Sequence, residues 1–289
     1  TSSFLIDLGE YRCAYPEIRI SGGKGASIEW KWAESLFHEK TNLKRNRGEW
    51  KGKYFRGFGD TFVSDGRDDA IFSPPWFRCG RWCRIVVKTA GEPLTVKDAS
   101  IFETRYPLEL ETEFDSPQMP SLSPVQEICR RTMQMCAHEM LFDCPYYEQQ
   151  MYPGDTRLQL NVISAMTSDD ALVRRAIEFY DLGRKSDGLV PFNHPTTGLQ
   201  DGLSYTLCYL LMHYDYMMLH NNREWFSARM PGYRNSLFAV EYYTRDDGLL
   251  GKTPGWTFVD WVNAPGWDSG NPPGALAGKA TAQVNGLWL

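Results

Sequence analysis

No apolar run in this 289-residue chain approaches the roughly 18 residues that a membrane helix needs. The N-terminal Thr1-Ser2-Ser3-Phe4-Leu5 lacks the basic-then-apolar pattern of a secretory signal. No membrane partner is expected. Positive charge is also in deficit: 31 Lys+Arg stand against 36 Asp+Glu, a formal net charge of −5 that argues against nucleic acid as a partner. The five histidines (His38, His138, His194, His213, His220) form no His-Glu-x-x-His pair. The seven cysteines follow no framework spacing. Cys79 and Cys83 lie four apart on an expected strand, roughly 13 Å by strand rise and too far to bridge. Cys129, Cys136, Cys144 and Cys208 supply no second close pair for zinc. No metal is expected, and reduced thiols favour the cytoplasm over the periplasm. The oligomeric state is not readable from these features.

What the chain has in quantity is aromatic: 10 Trp, 15 Tyr and 15 Phe, 14% together. Such enrichment builds either a large core or a cleft whose flat faces meet a ligand. At this length about three-quarters of the unfolded surface is buried on folding, enough for one large core or two ordinary ones.

Two halves differ in hydrophobic period. Residues 1–112 alternate, as in Ser27-Ile28-Glu29-Trp30-Lys31-Trp32 and Arg84-Ile85-Val86-Val87-Lys88, between turn clusters such as Ser64-Asp65-Gly66. That spacing predicts an antiparallel β-sandwich. Residues 113–121 read as a linker, and 122–289 as helical. Ser123-Pro124-Val125-Gln126 predicts an N-cap, a proline at the first helical position and a capping-box partner. Further helices are expected near Thr156, Asp169, Asp201, Arg223, Arg234 and Ala275. Asp187-Gly188-Leu189-Val190 recurs 60 residues later as Asp247-Gly248-Leu249-Leu250, each copy followed by a proline-containing loop and an acid, Asp201 or Asp260. A turn recurring every two helices is the mark of stacked helical hairpins, hence of part of an (α/α)6 toroid. A whole ring needs more helices than are visible, and the uncapped apolar end at Leu287-Trp288-Leu289 reads as a fragment of a longer protein.

Chemistry concentrates between Phe142 and Arg157. Asp143, Glu148 and Asp155 are interleaved with Tyr146, Tyr147 and Tyr152, and Pro145 and Pro153 forbid a continuous helix. Singly, Asp143 reads as a turn residue and Asp155 as a cap. Together, carboxylates on one stiff loop push their pKa values apart, and a neutral acid beside an ionised one is what glycosidic cleavage requires.

Asp143-Cys144-Pro145-Tyr146-Tyr147-Glu148 followed by Tyr152-Pro153-Gly154-Asp155 resembles the motif of the bacterial α-L-rhamnosidases of glycoside hydrolase family 78. Phe4–Tyr15 and Phe77–Tyr106 resemble the β-domain ahead of their catalytic barrel, and Thr257-Phe258-Val259-Asp260-Trp261 a later barrel segment. The resemblance implies an inverting glycosidase that releases terminal α-L-rhamnose without a cofactor. Glu148 would be the general acid. Asp143 and Asp155 would hydrogen-bond sugar hydroxyls, and Trp261 would pack on the sugar's apolar face and methyl group. Tyr205 and Asp260 would also belong to the pocket. Tyr152 and Tyr146 stand where the family commonly has Trp and Arg, so substrate contacts are expected to differ there. The general base would lie beyond residue 289, with Asp201 and Asp260 as the candidates inside the chain. Two other readings stay open: a non-catalytic carbohydrate-binding relative, and a glycosidase for another sugar on the same barrel. Elsewhere, Gly266-Trp267-Asp268-Ser269-Gly270 places its serine one position too late for a nucleophile elbow. His194 is a secondary candidate for the cleft. The stripe Tyr205, Tyr209, His213 and Tyr216 is expected to pack inward.

Overall fold

The computed structural model describes residues 1–289, which divide into two compact units. Thr1–Tyr106 and Pro145–Tyr147 form a β unit; Pro107–Cys144 and Glu148–Leu289 form a helical unit.

The β unit contains β1 (Ser2–Gly22), β2 (Ser27–Ala33), β3 (Phe37–His38), β4 (Lys53–Tyr54), β5 (Phe58–Val63), β6 (Ala70–Phe72), β7 (Arg78–Lys88) and β8 (Leu94–Glu103). The expected alternation in β2 is present: Ile28, Trp30 and Trp32 are buried, while Glu29 and Lys31 between them pair with each other at 2.7 Å. β2 runs antiparallel between β5 and β7, with Trp30 opposite Asp60 on one side and Ile85 on the other. The layering differs in one respect from a sandwich of two separate sheets. Six strands form a single antiparallel sheet in the order β5-β2-β7-β1-β6, with β8 also on β1, and this sheet curls as a half-barrel. β1 makes that possible through its length. Its first half pairs with β7 from Ser2 to Ala14 across a register break between Asp7 and Arg12, and its second half pairs with β8 from Ala14 and with β6 at Ile18–Ile20. A bulge of this kind bends a strand and increases its twist. β3 and β4 form a separate two-stranded ribbon. None of the seven cysteines is bridged, and five of them are buried.

The helical unit holds α1 (Ser123–Cys136), α2 (Pro153–Ser164), α3 (Ala171–Leu182), α4 (Ser204–His220), α5 (Arg223–Glu241) and α6 (Ala282–Trp288). Two local expectations are corrected. The capping box at Ser123 does not form: a short 3-10 turn, Pro120–Leu122, leads into α1. The Ser123 hydroxyl turns to Asp115, and Gln126 accepts from the Phe114 amide instead. The helices expected at Arg223 and Arg234 are one continuous α5 running through Pro231. Gly232, next to that proline, lets the helix lie against Arg184 and Asp181, where a Cβ would collide with both side chains.

α4 touches α2, α3, α5 and α6 and is buried along its first half, while Tyr214, Met218 and Leu219 are exposed towards its end. Tyr209, His213 and Tyr216 are wholly buried, as the inward stripe predicted; Tyr205, its first member, is not, and lines a cavity instead. Burial of Leu207, Leu210 and Met212 alone contributes on the order of 6 kcal/mol before entropy is counted.

The internal repeat is real in its hydrogen bonds. In the first copy, the Leu189 amide donates to Asp187 Oδ1 (3.0 Å), the Gly188 amide to Lys185 O (3.0 Å), and the Lys185 amide to Leu189 O (2.9 Å). In the second, the Leu249 amide donates to Asp247 Oδ1 (3.2 Å), the Gly248 amide to Arg245 O (2.9 Å), and the Arg245 amide to Leu249 O (2.8 Å). The residue after each turn is then pinned by a polar side chain of a helix: the Val190 amide donates to Thr206 on α4, and the Leu250 amide to Asn285 on α6. The loops that follow meet where the Trp256 amide donates to Asp201 O at 2.7 Å.

Both turn glycines have left-handed backbones, φ 89° at Gly188 and 81° at Gly248. Their surroundings differ. A Cβ at Gly188 would lie 2.8 Å from Ala239 Cβ and 2.9 Å from Asn235 O, whereas one at Gly248 meets nothing within 4 Å. Gly248→Ala should therefore cost about 1 kcal/mol from backbone strain alone. Gly188→Ala should cost about 2 kcal/mol more from overpacking. Thermal melts of the two variants side by side check the ordering.

Candidate active site

After α1 the chain turns through a bridge between Ala137 and Leu141 and enters the acidic loop. The loop closes on itself. The Asp143 amide donates to Gln150 O (2.8 Å), and the Gln150 amide returns a bond to Asp143 Oδ1 (3.2 Å). The Gln149 amide, in a left-handed residue at φ 52°, donates to Cys144 O (3.1 Å). Pro153 starts α2, which places Asp155 in the first turn of that helix. Gly154 beneath it leaves room for the Tyr205 ring, which a Cβ there would approach to 3.1 Å.

The clasped loop sorts its side chains. Asp143, Glu148 and Asp155 face a cavity of about 260 Å³, and Asp260 from the second repeat loop joins them. No basic side chain lines it. Tyr152, Phe192, Tyr205, Trp256, Phe258 and Trp261 supply aromatic wall, and Gln200 a neutral amide. The rings touch one another in tilted and edge-to-face contacts: Phe192 lies 4.5 Å from Tyr205, Phe258 lies 4.5 Å from Trp256, and Trp261 lies 5.2 Å from Phe258. Trp261 is 71% exposed, so its indole is open to a ligand.

Tyr146, expected in the sugar pocket, does not line the cavity. It belongs to the β unit, where it is 5% exposed. Its hydroxyl donates to Trp32 O (2.8 Å), and its ring packs on Phe58 at 4.4 Å between centroids. His194 is also absent from the cavity lining; its ring occupies the space beside Gly183. Asp201 is held by Lys185 at 3.3 Å outside the lining, whereas Asp260 is on the wall. Sequence reasoning did not place Trp256 and Phe258 among the pocket residues, beside Asp260 and Trp261 on the second repeat loop, and it missed Phe192 and Gln200. Their only signal was position, on the loop after the first repeat turn.

Electrostatics differentiate the acids. Burial, followed by the charges of Asp143, Glu148 and Asp260, pushes Asp155 up to about 6, against the pull of its own backbone amide. Asp143 is raised as well, by burial first and with the Glu148 charge adding, while the Cys144 and Gln150 amides oppose the shift. Burial and the neighbouring Glu148 carboxylate keep the Tyr152 phenol protonated, and it donates to Glu148 Oε2 at 2.7 Å. Asp143, Cys144 and Glu148 can each bring a ligand atom within 4.8 Å of the others. Two hard oxygens and one soft sulfur match no common divalent ion well.

Four carboxylates without a cation repel anionic ligands and accept hydrogen bonds from hydroxyl groups. The cavity is smaller than the roughly 300–1,000 Å³ of drug-sized sites, a volume suited to one polyhydroxylated ring with an apolar face.

The chain belongs to the family of bacterial α-L-rhamnosidase six-hairpin glycosidase domains, whose model matches residues 114–277. Among solved structures, the family 78 rhamnosidase of Bacillus sp. GL1 superposes with a TM-score of 0.75 at 21% identity, over 93% of this chain and 26% of that one. The Klebsiella oxytoca rhamnosidase with rhamnose bound gives 0.66 at 19%, over 88% of this chain and 51% of that one. The Streptomyces avermitilis α-L-rhamnosidase complexed with L-rhamnose gives 0.63 at 17%, over 92% and 25%. The chain thus spans between a quarter and a half of the length of these relatives. No curated protein sequence matches it.

The raised Asp155 has a consequence for stability. Its folded value of about 6 exceeds the ordinary 3.8, so the stability linked to its proton is full below pH 3.8 and is lost as pH rises through about 6. Asp155→Asn should leave the melting temperature unchanged near pH 3.5 and raise it at pH 7, with the gap opening between. Melting curves across that range check the sign.

Proposed function

We propose that this chain carries the sugar-binding and proton-donating part of a glycosidase that cleaves terminal α-L-rhamnosides with inversion. The observation that carries the reading is the single cavity faced by Asp143, Glu148 and Asp155 under an aromatic wall. Glu148 is the general acid: the Tyr152 phenol donates to its Oε2 and orients the carboxyl, which leaves Oε1 to serve the departing glycosidic oxygen. Asp143 and Asp155 accept hydrogen bonds from ring hydroxyls, and a proton retained on Asp155 turns one of its oxygens into a donor. Trp261 packs against the methyl-bearing face of the deoxy sugar, where a flat apolar surface gains and a polar one does not. Tyr205 supports that wall from α4. Inversion also needs a base roughly 6.5–9.5 Å from the acid to activate water. Following the family resemblance, that base is a glutamate outside residues 1–289. Asp260, on the cavity wall, is its rival within the chain.

Binding needs no base, so calorimetry on this chain tests the pocket directly. L-rhamnose should bind in preference to D-glucose, and Asp143→Asn or Trp261→Ala should weaken it by about tenfold. Equal affinity for both sugars would overturn the assignment.

Two further outcomes concern the acid. Glu148→Gln should lower hydrolysis of an alkyl α-L-rhamnoside by about 10³-fold while sparing sugar affinity. Tyr152→Phe should lower it about tenfold, yet leave a dinitrophenyl rhamnoside, whose leaving group needs no proton, nearly unaffected. A Tyr152→Phe variant that slows both substrates equally would deny the phenol its role in orienting the acid.

A further inference from the structure

One exposed segment of the β unit has a charge opposite to that of the chain. From Phe37 to Arg56, across β3, β4 and the loop between them, seven basic residues face only Glu39 and Glu49, a local balance of +5 in a chain of net −5. Two of the seven are structural. Lys53, with a side chain 1% exposed, donates to the carbonyls of Lys44 (3.0 Å) and Asn46 (2.6 Å) and draws the loop inward. Lys44 pairs with Glu34 at 2.6 Å. Between the two clamped carbonyls sits Arg45, in a left-handed backbone at φ 58°, with its side chain in solvent.

The other five, Lys40, Arg45, Arg47, Lys51 and Arg56, are all exposed and have no carboxylate at ion-pair distance. Some lie over rings: the Arg56 guanidinium is 5.0 Å from the centre of Phe37, and the Arg47 guanidinium 5.6 Å from that of Tyr11. A guanidinium over a ring can still offer N–H groups to a carboxylate. Exposed apolar surface is interleaved with the charges, with Trp50 at 59% and Tyr54 at 38% exposure. A clamped loop that presents five unpaired cations within 17 residues, beside exposed rings, suits a partner with both carboxylates and apolar ring faces.

We propose that the β3–β4 ribbon is a docking surface for an anionic polysaccharide bearing uronate groups. Arg45, Lys51 and Lys40 meet the carboxylates, and Trp50 stacks on a sugar face. The choice of polysaccharide over nucleic acid rests on the glycosidase reading above, whereas the anion surface itself does not. The cavity, lined by acids, takes the neutral sugar; the ribbon takes the acidic ones.

The test is affinity electrophoresis of this chain in gels containing polygalacturonate, neutral dextran or polyglutamate, with a single-stranded oligonucleotide as competitor. Polygalacturonate should retard the chain and dextran should not, and the effect should vanish at about 0.5 M salt, where screening is nearly complete within contact range. The triple reversal Lys40→Glu, Arg45→Glu, Lys51→Glu should weaken retardation at least tenfold. The charge-matched reversal Lys24→Glu, Lys88→Glu, Lys252→Glu should weaken it far less. Trp50→Ala should weaken polygalacturonate binding and leave polyglutamate untouched. These side chains are exposed, so melting temperatures should not change. Undiminished retardation of the first triple variant, or no retardation of the parent chain, overturns the surface. Tighter binding of polyglutamate or of the oligonucleotide overturns the sugar assignment. L-rhamnose calorimetry on the triple variant separates this proposal from the cavity: its affinity should equal the parent's, and a cavity that bound no rhamnose would leave the gel result standing.

Discussion

Carboxylates that share a small cavity repel one another, and here Asp143, Glu148, Asp155 and Asp260 do so with no basic side chain among them. Everything around them resists that repulsion. The loop is clasped at both ends by Asp143 and Gln150, Pro153 fixes where α2 begins, and the buried α4 holds Tyr205 against Gly154. Burial, with the neighbouring charges adding to it, holds the carboxyls of Asp143 and Asp155 above the ordinary carboxylate range. A cluster of this kind is a local loss of stability that the rest of the fold must outweigh.

The repeat explains where the walls come from. Each Asp-Gly turn closes with the same hydrogen bonds and hands its next residue to a polar side chain on a helix. Each is followed by a loop that reaches the cavity: Phe192 and Gln200 arrive from the first copy, and Trp256, Phe258, Asp260 and Trp261 from the second. The two loops are then joined through Asp201 and Trp256. A pocket with aromatic rings on one side and acids on the other thus results from stacking one kind of hairpin and varying the loop that leaves it.

Much of this was legible in the residues because it is local. The acids of the 143–155 segment are a few positions apart, the prolines between them forbid a helix, and the repeat is visible as a four-residue echo. What failed depended on partners remote in sequence. The Ser123 cap lost to Asp115 and Phe114, which claimed its two polar side chains. Pro231 did not divide α5, because Gly232 lets that helix settle against Arg184 and Asp181. Tyr146 has the motif's spacing, yet its environment is set by Trp32 and Phe58, more than 80 positions upstream. The single curled sheet was hidden for the same reason: strand pairing along β1 changes partners midway, and alternation records which face a residue takes but not which neighbour it has.

Pro145, Tyr146 and Tyr147 lie in the middle of the acidic loop but belong by packing to the β unit. The seam between the two modules is therefore not a point along the polypeptide. Severing the chain after Tyr106 would strip the sheet of the tyrosine that caps the Trp32 carbonyl, and would leave the loop with its midpoint unmoored. A laboratory graft of either module has to carry this three-residue stitch along, and a splice drawn only by linear order would unpick both partners.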